Sequence, residues 1–404
     1  MAKAQDSAGG AAGVAEPIVP VPSPGPGQEL LTPPSEEESR ETARGVATAV
    51  AAPGGLTELQ IILIEALFKA MTGATVDVRN APPMSAMELA RHLAPRNRQF
   101  RTRGVQVMLL CALVLRPLPQ VVVDQVSAYA RALGVDEGMI AVARRFAQGS
   151  LGLAGVDFER NGYTADWHPE DAQTLHVSRE LQVAWDTAVD DPGLAARWRA
   201  LGELPRGSLG RGVWEMYQAR GFAFPGLPGS APPLLAQHDW VHVLADYGTT
   251  VESELEVFAL IARANDDMRA FSLLAMVVSL FETGYLRTGA GLFQADGGHL
   301  SRNHAVAVRL ADAMRRGALC HDEATGSDSV DFLRIDWFEI AHLPLAEARA
   351  RFRLPDKLPE AVAAGSVGPW EPGGISPFQE RMGRELAERE GRPYDSHGAH
   401  PLDG

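Results

Sequence analysis

Apolar residues recur every three to four positions over two long stretches of the chain, residues 55–150 and 176–355. A run from Ile61 to Met71 places its apolar residues on one helix face, which is the pattern of an amphipathic helix. Thr57 before the run suits an N-cap and Gly73 after it suits a helix stop. Neither stretch contains convincing pairs of alternating strands. The pattern predicts an all-α protein.

The two stretches predict two helical domains. In the first, an accessory helical bundle over residues 55–150, further helices are expected at about 85–93, 101–115, 118–133 and 136–147. In the second, residues 176–355, Asp191 suits an N-cap and Pro192 the first helical position, so a helix should run from there to about Leu201. We expect helices from there to about residue 355.

The ends of the chain differ in composition from these stretches. Residues 1–54 are rich in Ala, Gly, Pro and Ser and carry an acidic cluster at 36–38. Such a segment buries too little apolar surface to offset the entropy of ordering, which predicts a disordered tail. Residues 363–404 are expected to form a second, largely disordered tail with one short helix. That helix should begin after Ser376, where Ser-Pro-Phe-Gln is a capping-box pattern, and reach about Glu390.

Charge and composition exclude some functions. The chain has 404 residues, with 37 Lys and Arg against 51 Asp and Glu, so its net charge is −14. This balance disfavours nucleic acid as a partner, because binding relies on cationic side chains that neutralise phosphates. The longest apolar runs are shorter than the ~20 residues of a membrane span. We therefore expect a cytoplasmic protein, with peripheral contact with the inner membrane left open.

Residues 237–254 carry the candidate chemistry. His238 and His242 are four positions apart, so on a helix both imidazoles project from one face, and Asp239 lies next to them. Gly248 predicts the end of this helix, and Thr249 with Glu252 predicts a capping box for the next one.

The spacing around this turn predicts a metal hairpin. His242 lies six residues before Gly248 and Glu254 six residues after it, so in antiparallel helices each stands about 9 Å from the turn. Two imidazoles and two carboxylates would converge, a set that suits zinc, iron or manganese. Two histidines at this spacing also occur by chance in helical proteins, so a purely structural role stays open. Glu256, nearby, is expected to face solvent or to assist capping.

The pattern His-Asp-x-x-His, eleven residues and then Glu resembles the signature of the COQ-four family of ubiquinone (coenzyme Q) biosynthesis proteins. Flanking segments extend the resemblance to about residues 176–355. Residues 204–212, Leu-Pro-Arg-Gly-Ser-Leu-Gly-Arg-Gly, resemble the family's stretch before a helix that carries an aromatic residue, here Trp214 or Tyr217. Downstream, Trp337, Pro344 and Arg349 fall in a segment similar to the family's closing one.

The resemblance implies both a site and an activity. It implies that His238, Asp239, His242 and Glu254 are the catalytic metal ligands, with zinc as the first candidate metal and iron or manganese as alternatives. It further implies oxidative removal of the C1 carboxyl of a prenylated hydroxybenzoate. The implied partners are a prenylated aromatic or isoprenoid lipid, other enzymes of quinone biosynthesis, and a second copy of the chain in a homodimer.

Several alternatives remain open at this stage. The chain could be a non-catalytic lipid-binding scaffold that organises such enzymes, or a homologue in another bacterial lipid or natural-product pathway. A lipid tail would need an apolar groove, for which residues 255–264 and 271–286 are the candidates. Residues 110–135 resemble, more weakly, the second half of TerB-like helical domains. The turn there is Arg116-Pro117-Leu118, where such domains place acidic residues, so no metal role is predicted for it.

Overall fold

The computed structural model describes residues 18–135, 190–228, 236–265 and 303–395, together with a few single residues between these ranges. Within these residues all named regular structure is helical, with fourteen α-helices, one short 3-10 helix and no named strand. The predicted all-α class is confirmed.

The first group contains five helices. They are α1 Glu36–Val50, α2 Glu58–Thr72, α3 Ala86–His92, α4 Arg98–Leu113 and α5 Gln120–Ala132. The predicted cap of α2 is confirmed, since Thr57 and Gln60 form a capping box and Gly73 ends the helix in the left-handed conformation. The helix expected at 136–147 lies for the most part outside the described residues.

Helix α1 corrects the predicted tail. Residues 36–50 were expected to belong to a disordered segment that reached residue 54, but they form a helix that packs against α2, α4 and α5. Ser35 accepts a hydrogen bond from the Glu38 backbone, and the Glu38 carboxylate pairs with Arg96 at 2.6 Å. The buried face consists of small residues such as Ala43, Val46 and Val50. Small side chains allow helices to pack closely, so this helix is buried. Because small residues are also typical of disordered segments, composition alone predicted disorder. Residues 1–17 lie outside the described residues.

The second group begins at Pro192. It contains α6 Pro192–Ala200, the 3-10 helix Leu201–Glu203, α7 Leu209–Arg220, α8 Gln237–Ala245, α9 Val251–Ala264, α10 Ala305–Ala318, α11 Trp337–Ile340, α12 Leu345–Arg351, α13 Pro359–Ala363 and α14 Pro377–Arg389. Helix α8 packs between α7 and α9, and α9 packs along α10. Helix α10 also packs against α2 and so joins the two groups, whose buried residues form one continuous cluster.

The segment before α7 pairs with the chain between α11 and α12. The Leu209 and Gly210 backbone amides donate to the carbonyls of Leu343 and Ala341, and the Leu345 amide donates to Gly207. A Cβ on Gly210 would lie 2.7 Å from the Ala341 Cβ, so the approach requires glycine. The two segments that flank the histidine motif in the sequence therefore hold each other in place.

The C-terminal segment is more ordered than predicted. The capping box at Ser376 and Gln379 is confirmed, and the helix it opens, α14, packs against α7. Before α14, the carbonyls of Pro369 and Gly374 accept hydrogen bonds from the buried guanidinium of Arg220 at 2.7 and 3.0 Å. This part of the predicted tail is thus attached to α7, whereas residues 396–404 lie outside the described residues.

Membrane-spanning helices were sought among the described residues. No helix there is both long and apolar enough to cross a membrane.

Candidate metal centre

Helix α8 carries both histidines in the core. Every residue from His238 to Ala245 is buried. The helix ends at Ala245, and Asp246 follows in the left-handed conformation with φ of 62°, so the stop lies two residues before the predicted Gly248. Aspartate tolerates this conformation better than most residues. The early stop turns the chain back so that α9 packs against α8.

Gly248 has a different role from the one predicted. Its carbonyl lies 2.6 Å from the Nδ1 atom of His242, and its amide donates to the Val367 carbonyl. A Cβ on Gly248 would lie 2.6 Å from the Gly374 Cα. Glycine is therefore required at position 248 because the C-terminal segment packs closely against its backbone. This contact fixes the Gly248 carbonyl, which in turn orients the His242 ring.

The predicted capping box at Thr249 is wrong. Helix α9 begins at Val251 after Thr250, which makes no side-chain capping bond. The buried Thr249 hydroxyl instead accepts a hydrogen bond from Arg220 at 2.5 Å and lies 2.8 Å from the Gln379 Oε1 atom. The Thr249 side chain thus connects the turn to α7 and α14 rather than to α9.

The four predicted site residues converge. The ligand atoms of His238, Asp239 and His242 all lie within 4.8 Å of one another, close enough to share one metal ion. Glu254 reaches them from α9, with its two oxygens 3.2 Å from His238 Nε2 and 3.3 Å from His242 Nε2. The predicted hairpin, with Glu254 level with the histidine pair, matches this geometry. The side chains are 10% exposed or less.

The His242 ring is oriented for metal binding. When Nδ1 carries the hydrogen and donates it to the Gly248 carbonyl, Nε2 is left with a bare lone pair. That Nε2 atom is buried without a hydrogen-bond partner among the described residues, yet it faces a Glu254 oxygen at 3.3 Å. Two electron-pair donors at this distance repel unless a positive charge lies between them. A divalent cation or a proton would supply that charge.

The carboxylates respond to this environment in opposite directions. Burial opposes ionisation of Glu254, but its proximity to the His242 and His238 imidazoles outweighs burial and lowers its pKa to about 2. For Asp239, burial dominates and raises the pKa despite the nearby histidines. A cation would favour the ionised form of both. Two carboxylates would neutralise a divalent ion, which reduces the cost of burying its charge.

Aromatic side chains surround the cluster. The Tyr217 hydroxyl, on α7, donates a hydrogen bond to Asp239 Oδ2, which leaves Oδ1 on the side of His238. Burial raises the pKa of Tyr217 well above its usual value, so the hydroxyl keeps its proton. Phe258 stacks on the His238 ring with centroids 5.0 Å apart. Side chains that contact the ligands of a metal site in this way fix the orientation of those ligands.

Glu256 was expected to face solvent or to assist capping, and this was wrong. It is fully buried and pairs with Arg309 on α10 at 2.5 Å. Arg309 also donates to Ser253 at 3.3 Å, so the ion pair links α9 to α10 directly behind the candidate ligands. The partner of Glu256, Arg309, lies on a distant helix. Residue spacing along the sequence could not predict that these two residues pair.

The predicted tail groove is only partly described. Nine of the ten residues from Leu255 to Ala264 are buried along α9, as are Leu274, Val277 and Val278. The remaining positions of residues 271–286 lie outside the described residues.

Comparisons with known proteins add no relative to this description. No protein-family model, no curated protein and no solved structure matches the chain.

Proposed function

We propose that His238, Asp239, His242 and Glu254 bind a divalent cation, and that the protein uses this centre in the biosynthesis of a ubiquinone-type quinone. One observation carries the metal site: the bare Nε2 atom of His242 faces the Glu254 carboxylate at 3.3 Å inside the core. The Gly248 carbonyl holds the ring in that orientation, so a proton on Nε2 would require a doubly protonated imidazole in a buried position.

The donor set suggests the metal. Two imidazole nitrogens and two carboxylate oxygens suit zinc, and iron and manganese are the alternatives. When bound, such an ion supplies Lewis-acid or oxidation chemistry to a substrate at an open coordination position. Tyr217 holds Asp239 in place, and Phe258 restricts rotation of the His238 ring.

The proposed substrate is a prenylated hydroxybenzoate. The reaction would break the bond between ring carbon C1 and its carboxyl group and release CO₂. A hydroxyl group would take its place: one atom of molecular oxygen would enter the ring at C1, and the other would be reduced to water by two electrons and two protons from an external reductant. Support comes from the similarity of residues 176–355 to the COQ-four family and from the convergence of the four motif residues.

A lipid-binding scaffold is the second candidate. It is favoured by a specific observation, namely that four protein side chains converge and that each is buried. Four protein ligands close the coordination of a structural zinc site, whereas catalytic sites keep one position open. In that case the metal would stabilise the α8–α9 hairpin, and the protein would present lipid to other enzymes or to a second copy of itself.

The test is complementation of a bacterial strain that lacks C1 decarboxylation in ubiquinone synthesis. We expect the wild-type chain to restore quinone, and His242→Ala to leave the carboxylated precursor accumulating, as detected by mass spectrometry. His321→Ala is the matched control, because His321 pairs with exposed Asp328 outside the site. Failure of the wild-type chain would remove the proposed reaction. Restoration by His242→Ala would show that the reaction does not require the proposed metal ligand.

A further inference from the structure

The turn between α8 and α9 is bound by a segment that lies more than a hundred residues later in the chain. The Thr249 amide donates a hydrogen bond to the Gly374 carbonyl at 2.8 Å. The buried Gln379 side chain binds Thr249 twice: its Nε2 atom donates to the Thr249 carbonyl, and its Oε1 atom accepts from the Thr249 hydroxyl, both at 2.8 Å. Residues 369–379, which we call the clasp, therefore bind three polar groups of one turn residue.

A single peptide unit connects the clasp to a candidate metal ligand. The Gly248 carbonyl and the Thr249 amide belong to the same peptide bond, which is planar and trans, so they point in opposite directions. The amide donates to the Gly374 carbonyl, and the carbonyl lies 2.6 Å from the Nδ1 atom of His242. Because the peptide plane rotates as a unit, the hydrogen bond to Gly374 also fixes the direction of the carbonyl that orients the His242 ring.

Arg220 on α7 binds the clasp and the turn at the same time. Its side chain is fully buried, and its Nε atom donates to the Thr249 hydroxyl at 2.5 Å. Its Nη2 atom donates to the carbonyls of Pro369 and Gly374, both in the clasp, at 2.7 and 3.0 Å. A buried charge is costly unless it is hydrogen-bonded. Detachment of the clasp would remove two of these three acceptors, so burial of Arg220 and docking of the clasp depend on each other.

Gln379 also belongs to the helix that follows the clasp. Its Oε1 atom accepts from the Ser376 amide at 3.2 Å, within the capping box that begins α14. Helix α14 packs against α7 so closely that a Cβ on Gly383 would overlap the Ala219 carbonyl. The start of α14 and the attachment of the turn thus use the same side chain, which favours docking of the clasp and α14 as one unit.

We propose that the clasp controls metal binding at the α8–α9 hairpin, with Arg220 and Gln379 as positioning residues for His242. When the clasp is docked, the Nε2 atom of His242 faces Glu254 and the centre can bind a divalent cation. When it detaches, the peptide unit and the ring become free to rotate, and metal affinity falls. Such coupling is reciprocal, so a bound cation stabilises the docked clasp by the same factor. The proposal rests on the proposed metal centre but not on the quinone chemistry.

The zinc affinities of Gln379→Ala and Ser376→Ala provide the first test. Both variants weaken the start of α14, but in the described part of the chain the hydrogen bonds of Ser376 stay within its own capping box. We expect zinc affinity to fall about tenfold or more in Gln379→Ala and to stay close to that of the wild type in Ser376→Ala. The visible absorption of bound Co²⁺ reports ligand geometry, so it should change only in Gln379→Ala. Wild-type zinc affinity in folded Gln379→Ala would overturn the proposal.

Hydrogen exchange of the wild-type protein tests the reciprocal effect and needs no variant. Zinc should slow amide exchange in residues 369–389 about tenfold. Exchange should change little in α3, which packs against α1 and α5. Unchanged exchange of the clasp in zinc-loaded protein would overturn the proposal and leave the metal centre standing. Failure of the wild-type protein to bind zinc or another divalent transition metal would instead overturn the metal centre, and the role of the clasp with it.

Discussion

The two ends of α9 differ in packing and polarity. Near its N-terminus, Glu254 meets two imidazoles in a tightly packed region where polar atoms face each other without a positive charge between them. Near its C-terminus, Arg263 borders an open cavity whose lining is mostly apolar. The first region has donor atoms that suit a cation, and the second has open space beside α4. One helix thus contributes to two regions of different character, which can be perturbed separately.

Metal removal should affect only the first region, and it should have the largest effect. A chelator would leave ionised carboxylates buried without a counter-charge, which costs about 3–5 kcal/mol. We expect the unfolding midpoint to fall by on the order of 10 °C in calorimetry. Added zinc should restore the midpoint. An unchanged midpoint in protein shown to be metal-free would contradict the account.

Gly248→Ala should disturb the first region through the backbone. The new Cβ would overlap the Gly374 backbone and displace the carbonyl that orients His242. Overpacking of this kind costs about 1–3 kcal/mol, and metal affinity should fall with it. Urea unfolding and metal titration measure the two effects. Gly54→Ala is the control, since a Cβ there meets nothing within 4 Å. Equal behaviour of the two variants would refute the role given to Gly248.

Tyr217→Phe should weaken the metal site with little change in packing. It removes the hydroxyl that donates to Asp239, and loss of such a partner lowers metal affinity about 10- to 100-fold. Competition with a chromophoric chelator gives the affinity. Tyr394→Phe serves as the control, because the Tyr394 hydroxyl donates to the Ala219 carbonyl and not to a candidate ligand. Metal affinity equal to that of the wild type would show that the Tyr217 hydroxyl does not support the site.

Gly104→Ala should affect only the second region, and its effect on stability should be the smallest. Because the added methyl group enters open space and alanine favours helix, we expect stabilisation by about 1 kcal/mol. The unfolding midpoint should rise by a few degrees while metal content stays the same. Destabilisation would mean that the space beside α4 is not available to a side chain.

Some of these features could be predicted from the sequence because they depend on local spacing. The four-residue interval between His238 and His242 places both on one helix face, and equal distances to the turn bring Glu254 level with them. The caps at Thr57 and Ser376 are equally local, and both were confirmed. Local patterns of this kind gave the all-α class and the residues of the candidate centre.

Features that depend on distant segments were missed. Gly248 was predicted to end a helix. Glycine is instead required there because the backbone of Gly374, more than a hundred positions later in the chain, packs closely against it. Glu256 looked like a surface residue until Arg309 on α10 was brought against it. Helix α1 looked like a disordered segment because its small residues acquire a buried surface only when α2, α4 and α5 pack on them. Spacing carries no information about such contacts.

The metal content of the purified protein tests the central claim most directly. The full-length chain, its His242→Ala variant and the His321→Ala control would be expressed with zinc, iron and manganese available and analysed by elemental mass spectrometry. We predict about one equivalent of a divalent transition metal in the wild type and in His321→Ala, and almost none in folded His242→Ala. Equal metal content in the wild type and His242→Ala would contradict the proposed centre.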